Sequence, residues 1–151
     1  MNTKDTISRV LYIDVTEKKY WVEDRSDLFD EYLGGAGVGI KLLQEECPPK
    51  ADPLSPENPI ILLTGPLVGS FPLASKTVAM FKSPHSGDIG ESHAGGRSSV
   101  AIRLAGYGAI VIRGASDMPI YVVVDGNKVF FKDATTLWGM SSSLASARII
   151  R

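Results

Sequence analysis

Thiols are almost missing from this 151-residue chain: Cys47, in the stretch EECPPK, is its only cysteine. An intramolecular disulfide is therefore impossible, and the chain's own thiols supply neither a zinc cage nor the ligands of an iron–sulfur cluster. Charge of one sign is also lacking. Lys and Arg number 16 against 17 Asp and Glu, a formal net charge of −1, so no global field favours nucleic acid or an anionic membrane, and any anion site must be local. No segment approaches the roughly 18 consecutive apolar residues of a membrane span. The opening MNTKDTISRV is polar without the apolar centre of a secretory signal, so a cytoplasmic location is expected. The glycine spacing fits neither the dinucleotide fingerprint nor the nucleoside-triphosphate loop. Histidine is scarce too: His85 and His93 have no carboxylate pair at motif distance, and no Ser/His/Asp or Cys/His arrangement is evident. No catalytic residue and no metal ligand is assigned.

What the chain does have is apolar residues, 44% of the total, enough for the core of one compact domain over residues 1–151. ISRVLYIDV at 7–15 reads as a strand with Val10, Tyr12 and Ile13 facing a core, and TEKKYWVED completes a hairpin. Asp27 is expected to cap a short helix carrying Leu28, Tyr32 and Leu33, ended by Gly34-Gly35, before a helix from Gly37 with Val38, Leu42 and Leu43 on one face. Prolines 48, 49, 53 and 56 make a loop, and PIILLTGP after it has the near-continuous apolar pattern of a strand buried on both faces. GPLVGSFPLASK and PHSGDIGESHAGG read as two further loops around the strand TVAMFKS. A helix over 97–105, the strand GAIVIRG and a hairpin turning at Asp125-Gly126-Asn127-Lys128 follow. MSSSLASARII reads as a final helix. Because it runs to Arg151, the domain is expected to be truncated at its C-terminus.

GGAGVGIKLL at 34–43 echoes GGRSSVAIRLA at 95–105, each a Gly pair before a helix. This predicts two related halves and an α+β fold: a β-rich, duplicated domain with short helices. At the second pair, free helix N–H groups together with Arg97, Ser98 and Ser99 suit an anion, and bare glycines would let a phosphate touch backbone. An ordinary tight turn with Ser98 as N-cap fits the stretch equally well. His93 reads as a hydrogen-bonding or ligand-lining group, Asp88 and Glu91 as turn stabilisers, and Lys76 as a cation able to reach the same anion.

In order, DPLSPENPIILLTGPLVGS, KTVAMFKSPHSGDIGESHAGG, LAGYGAIVIRGASDMPIYVVVDG and KDATTLWG resemble the N-terminal domain of the aldehyde ferredoxin oxidoreductase family, as do the opening strand and YLGGAGVGIKLL. The resemblance implies a base for a tungsten or molybdenum bis-pterin cofactor. It also implies that Lys76 and His93, Ala94, Gly95, Gly96 and Arg97 meet the pterin phosphates and their magnesium ion. The family often has arginine where this chain has Lys76, and asparagine where it has His93. Lysine keeps the charge without the planar fork. In the family a 4Fe-4S cluster and the substrate channel belong to later domains. The partners implied are therefore those C-terminal domains or a partner subunit, ferredoxin and an aldehyde. The alternative is a stand-alone, non-catalytic module for a pterin, a phosphate-bearing ligand or a partner subunit. In either case an exposed cofactor face predicts self-association, as a homodimer.

Overall fold

The computed structural model describes residues 7–142. A six-stranded mixed sheet is built from β1 (Arg9–Asp14), β2 (Lys19–Asp24), β3 (Ile60–Thr64), β4 (Thr77–Lys82), β5 (Ile89–Ala94) and β6 (Ala109–Arg113), in the order β2-β1-β6-β3-β4-β5. β1 and β6 are parallel, and the other pairs are antiparallel. Helices α1 (Ser26–Tyr32) and α2 (Gly35–Glu46) cover one face. Helix α3 (Ser98–Leu104) and the hairpin of β7 (Ile120–Asp125) with β8 (Lys128–Asp133) cover the other. The α+β expectation holds, and the two echoing Gly pairs each open a helix, on opposite faces of one sheet.

Alternation along the strands separates the two cores. Val10 and Tyr12 of β1, Ile61 and Leu63 of β3, Val78 and Met80 of β4, and Ala109 and Val111 of β6 meet Val38, Leu42 and Leu43 of α2. Their neighbours Leu11, Ile13, Leu62 and Ile110 meet Ile102, Tyr107 and Val129 on the other side. A helix face with apolar residues at this spacing packs only as closely as its smallest residue allows. Here that residue is Gly39, whose added Cβ would lie 2.6 Å from Met80 Cγ and 2.8 Å from Leu63 Cδ1. The β7–β8 hairpin turns where its sequence predicts and is pinned by Tyr107 Oη donating to Gly126 O at 2.9 Å and Arg9 Nη2 to Asn127 Oδ1 at 3.1 Å.

Several expectations are corrected. Asp27 does not cap α1: the helix begins at Ser26, whose N–H is held by Asp24 Oδ1 at 2.9 Å, and the Asp27 carboxylate accepts instead from Arg25. Leu33 lies off the buried face. It is the left-handed residue ending α1, with φ 64° and 69% exposure. Gly34-Gly35 does not end α1 but begins α2, two residues earlier than Gly37. The third loop is only in part a loop, because six of its residues, Ile89–Ala94, form β5. The expected final helix lies largely outside the described residues.

Candidate functional site

The register of β4 and β5 assembles the site. Their ladder runs from Lys82 opposite Ile89 to Thr77 opposite Ala94, so Lys76 and Gly95 are the next residues beyond its last pair. Antiparallel pairing thus brings residues almost twenty apart in sequence to one end of the sheet. A hydroxyl pair locks the arrangement: Thr77 Oγ1 and Ser98 Oγ are 2.7 Å apart, tying the start of α3 to the start of β4. Ser98 is therefore committed to Thr77 and is not the N-cap. Arg97 occupies that position, without a side-chain capping bond.

The two glycine pairs, so alike in sequence, differ in what faces them. A Cβ on Gly34 (φ 125°) would lie 3.2 Å from the Thr64 carbonyl oxygen and 3.6 Å from Pro66 Cδ, so the protein itself fills that space. At Gly95 and Gly96 a Cβ would meet none of the described residues within 4 Å, although Gly96, at φ 110°, still needs glycine for its backbone. The second pair is bare without any packing reason, which is the condition a ligand touching backbone requires.

The charges agree with this. Among the described residues, neither Lys76 nor Arg97 has an ion pair or a side-chain hydrogen bond, and Lys76 is exposed. An open depression of about 690 Å³ at the opposite end of the sheet, lined in part by Asp14, Lys18, Trp21 and Arg113, offers a contrast. Its Arg113 is neutralised by Asp14 at 3.4 Å and Glu46 at 3.3 Å. Uncommitted cations beside bare backbone are found at the Lys76 end.

His93 is placed on the edge strand opposite Val78, half exposed, with Nε2 3.5 Å from Glu91 Oε1. Glu91 is thus a strand residue beside His93 and not a turn stabiliser. The turn itself is closed by Ser83 and Asp88, with Ser83 N donating to Asp88 O at 2.7 Å. Among the described residues no group of three His, Cys, Asp or Glu side chains could hold a metal ion. No described helix is long and apolar enough to cross a membrane. Ser99, expected to offer a hydroxyl to an anion at the glycine pair, is instead fully buried, and the Thr77–Ser98 bond left no sign in the sequence because only packing creates it.

The family comparison decides the membership. The aldehyde ferredoxin oxidoreductase N-terminal domain matches residues 10–151. This chain belongs to that family. A tungsten-containing aldehyde ferredoxin oxidoreductase of Thermococcus kodakarensis is 37% identical over 143 residues, covering 93% of this chain and 24% of the relative. The aliphatic sulfonate oxidoreductase, WOR-like subunit, of Pyrococcus furiosus is 37% identical over 136 residues, covering 87% and 22%. A solved structure, a chain of the active-site complex BamBC of benzoyl coenzyme A reductase with 1,5-dienoyl-CoA, superposes with a TM-score of 0.92 at 30% identity, covering 99% of this chain and 23% of that one. This aldehyde ferredoxin oxidoreductase N-terminal domain thus spans about a quarter of the length of the relatives it matches.

Proposed function

We propose that this chain is the cofactor-cradling domain of a tungsten-dependent oxidoreductase acting on aldehydes, with the edge formed by Lys76 and His93–Arg97 holding the phosphates of a bis-pterin. The observation that carries the reading is the uncommitted pair Lys76 and Arg97 flanking a glycine pair open to solvent, in a member of this family. The residues fit the group. Phosphate oxygens accept from an ammonium, a guanidinium and backbone N–H groups, and glycines without neighbours admit a bulky tetrahedral anion. Backbone carbonyls along His93–Gly96 suit magnesium, a hard cation that takes oxygen ligands.

When bound, tungsten or molybdenum on two pterin dithiolenes supplies the redox chemistry that turns an aldehyde and water into a carboxylic acid, releasing two protons and two electrons. The residues of this chain bind and orient. Lys76 gives a point charge, adaptable in direction, while the fork of Arg97 fixes an oxygen pair. The Thr77–Ser98 bond holds the two cations in register, so that the phosphate charge is neutralised without rearrangement. His93 lines the edge, held beside Glu91. The 4Fe-4S cluster, the substrate channel and delivery of electrons to ferredoxin fall to further domains or to a partner subunit.

A second reading, a non-catalytic module for a pterin, another phosphate ligand or a partner subunit, rests on the same uncommitted cations and open glycine pair, which bind a phosphate without any redox centre. Both readings are tested by metal and phosphate analysis of protein purified from a host that makes the pterin cofactor. Tungsten or molybdenum retained by the wild type and lost in Lys76→Glu supports the first. Phosphate ligand without metal moves the assignment to the second.

A further inference from the structure

The six-stranded sheet ends at β2, and no strand lies beyond it among the described residues. Edge strands are normally guarded against pairing by lysines or other charges, by proline, or by a bulge. β2 has neither proline nor bulge: it pairs with β1 without interruption, from Lys19 opposite Asp14 to Asp24 opposite Arg9. It does have charges, but they are ordered. Lys18 and Lys19 precede Tyr20-Trp21-Val22, and Glu23 and Asp24 follow, so the stretch KKYWVED is antisymmetric in charge about Trp21. A guard made of one sign repels a second copy, whereas this order attracts one that runs the opposite way.

Residues directly opposite each other in a ladder lie on one face of the sheet, so a strand meets its own antiparallel copy with odd positions against odd and even against even. Of these registers, the one centred on Trp21 sets Lys19 opposite Glu23 and Tyr20 opposite Val22, and brings Lys18 toward Asp24. A parallel copy in register would meet like charge at each of these positions. The backbone agrees with the antiparallel join. Arg25 N donates to Ser8 O at 2.8 Å, and alternation along the same ladder then commits the N–H and C=O of Glu23, Trp21 and Lys19 to β1. Those of Tyr20 and Val22 point outward, and Tyr20 and Val22 are the residues that face each other in the Trp21-centred register. The side chains are available as well. Tyr20, Val22 and Lys19 are exposed, and Lys19 meets Glu17 with an ammonium that has three donors. Glu23 gives one carboxylate oxygen to Trp21 Nε1 at 2.8 Å, which leaves the other for a cation. We infer that β2 is a self-complementary edge to which a second copy of this chain adds antiparallel, about a two-fold axis at Trp21, joining both sheets into one. Each Tyr20–Val22 pair exchanges both of its backbone hydrogen bonds, and the Lys19–Glu23 ion pair forms on either side of the axis. Such a join buries little apolar area, so it is reversible and is best read by trapping.

The test uses the full chain with Cys47→Ser, which removes its only native thiol, and follows disulfide-linked dimer on a non-reducing gel during copper-catalysed air oxidation. Trp21→Cys sets a thiol opposite its own copy at a Cα spacing of about 4.5 Å, which a disulfide spans, so a covalent dimer is expected. Tyr20→Cys mixed with Val22→Cys should link faster than either variant links to itself, and this pair gives the readout should loss of the Trp21 ring disturb the fold. In either background Lys19→Glu or Glu23→Lys should slow linkage about fivefold or more, because the two-fold axis loses the ion pair twice. Lys19→Glu and Glu23→Lys together should restore it, an outcome that a merely structural role for either side chain would not give. Phe71→Glu with Leu73→Glu should leave the rate unchanged, which separates this join from association through the exposed loop before Lys76. Linkage of Trp21→Cys no faster than that of Leu54→Cys, a residue 83% exposed and away from β2, overturns the proposal. So does a charge-swapped double variant no faster than the single ones, and so does self-linkage of Tyr20→Cys as fast as its mixture with Val22→Cys.

Discussion

Two alanine substitutions in near-identical sequence settings should give opposite results. At Gly34 the backbone sits at φ 125°, and an added Cβ lies 3.2 Å from the carbonyl oxygen of Thr64, itself fully buried at the end of β3. Backbone strain at such a φ costs about 1–2 kcal/mol. The neighbour must also yield, and a buried strand carbonyl cannot swing aside as a side chain tip can, adding about 1 kcal/mol. Gly34→Ala is therefore expected to destabilise by about 2–3 kcal/mol, a fall in Tm of roughly 4–12 °C for a chain of this size.

Gly95 has an ordinary φ and an empty neighbourhood. Alanine there adds no strain and removes freedom from the unfolded chain, so Gly95→Ala should be neutral or stabilising by up to about 1 kcal/mol. Urea and thermal denaturation followed by far-UV circular dichroism measure both. If Gly95→Ala loses as much stability as Gly34→Ala, residue 95 is packed against protein and the open edge on which the cofactor reading rests is wrong.

Three further outcomes follow from the same geometry. Gly95→Val, whose Cβ enters the same open space, should reduce pterin-phosphate retention at least about tenfold, equivalent to about 1.4 kcal/mol, with a far-UV spectrum like the wild type's; unchanged metal and phosphate content would show that the ligand does not approach there. Arg25 links Glu45 at 2.9 Å, Asp27 at 3.1 Å and the Tyr12 hydroxyl at 3.2 Å, and Arg25→Met should lose about 1–2 kcal/mol, discounted for the exposure of both carboxylates. Hydrogen bonding to Arg25 holds the Asp27 carboxyl below the usual carboxylate range, so its contribution is present above the unfolded value of about 3.9 and is lost as pH falls through the lower folded one; the variant should flatten that acid limb, and an unchanged limb in urea titrations would sink the assignment. Leu67, Phe71 and the fully exposed Leu73 make the loop before Lys76 apolar, and self-association through it predicts a dimer by sedimentation velocity that Phe71→Glu with Leu73→Glu converts to monomer. A wild type that stays monomeric at high concentration would refute this.

Legibility in the sequence followed the environment of each element. β1, β3 and the β7–β8 hairpin could be read because burial imposes a pattern on them: alternation, a continuous apolar run, or a Gly-Asn turn between β-branched residues. β5 could not. Its GESHA stretch lies at the sheet edge with solvent on both faces, so no face is obliged to be apolar and the residues look like loop. The insertion of β6 between β1 and β3 was also out of reach, since that pairing joins distant segments and leaves no local mark. Leu33 matched the apolar spacing of α1 yet terminates it in the left-handed conformation. For the site, the position of Lys76 between two loops marks a cation able to reach the anion at residues 93–97, and the resemblance is what turns that into a phosphate contact. Its physical basis, the register that sets Lys76 beside Gly95, depends on β5 being a strand.

The position of Cys47 bears on the division of labour. It follows α2 at the end of the sheet where Lys82 pairs with Ile89, opposite to the end holding Lys76 and Gly95. Its sulfur is buried near the Pro48 carbonyl oxygen at 3.7 Å, and burial pushes the thiol up, away from the thiolate that a metal or an electrophile would need. The one thiol of this chain is thus both masked and remote from the uncommitted cations. The thiol and the uncommitted cations are separated by the length of the sheet. On the proposed reading the cradle needs no thiol from this chain, whose single cysteine is too few to ligate an iron–sulfur cluster by itself.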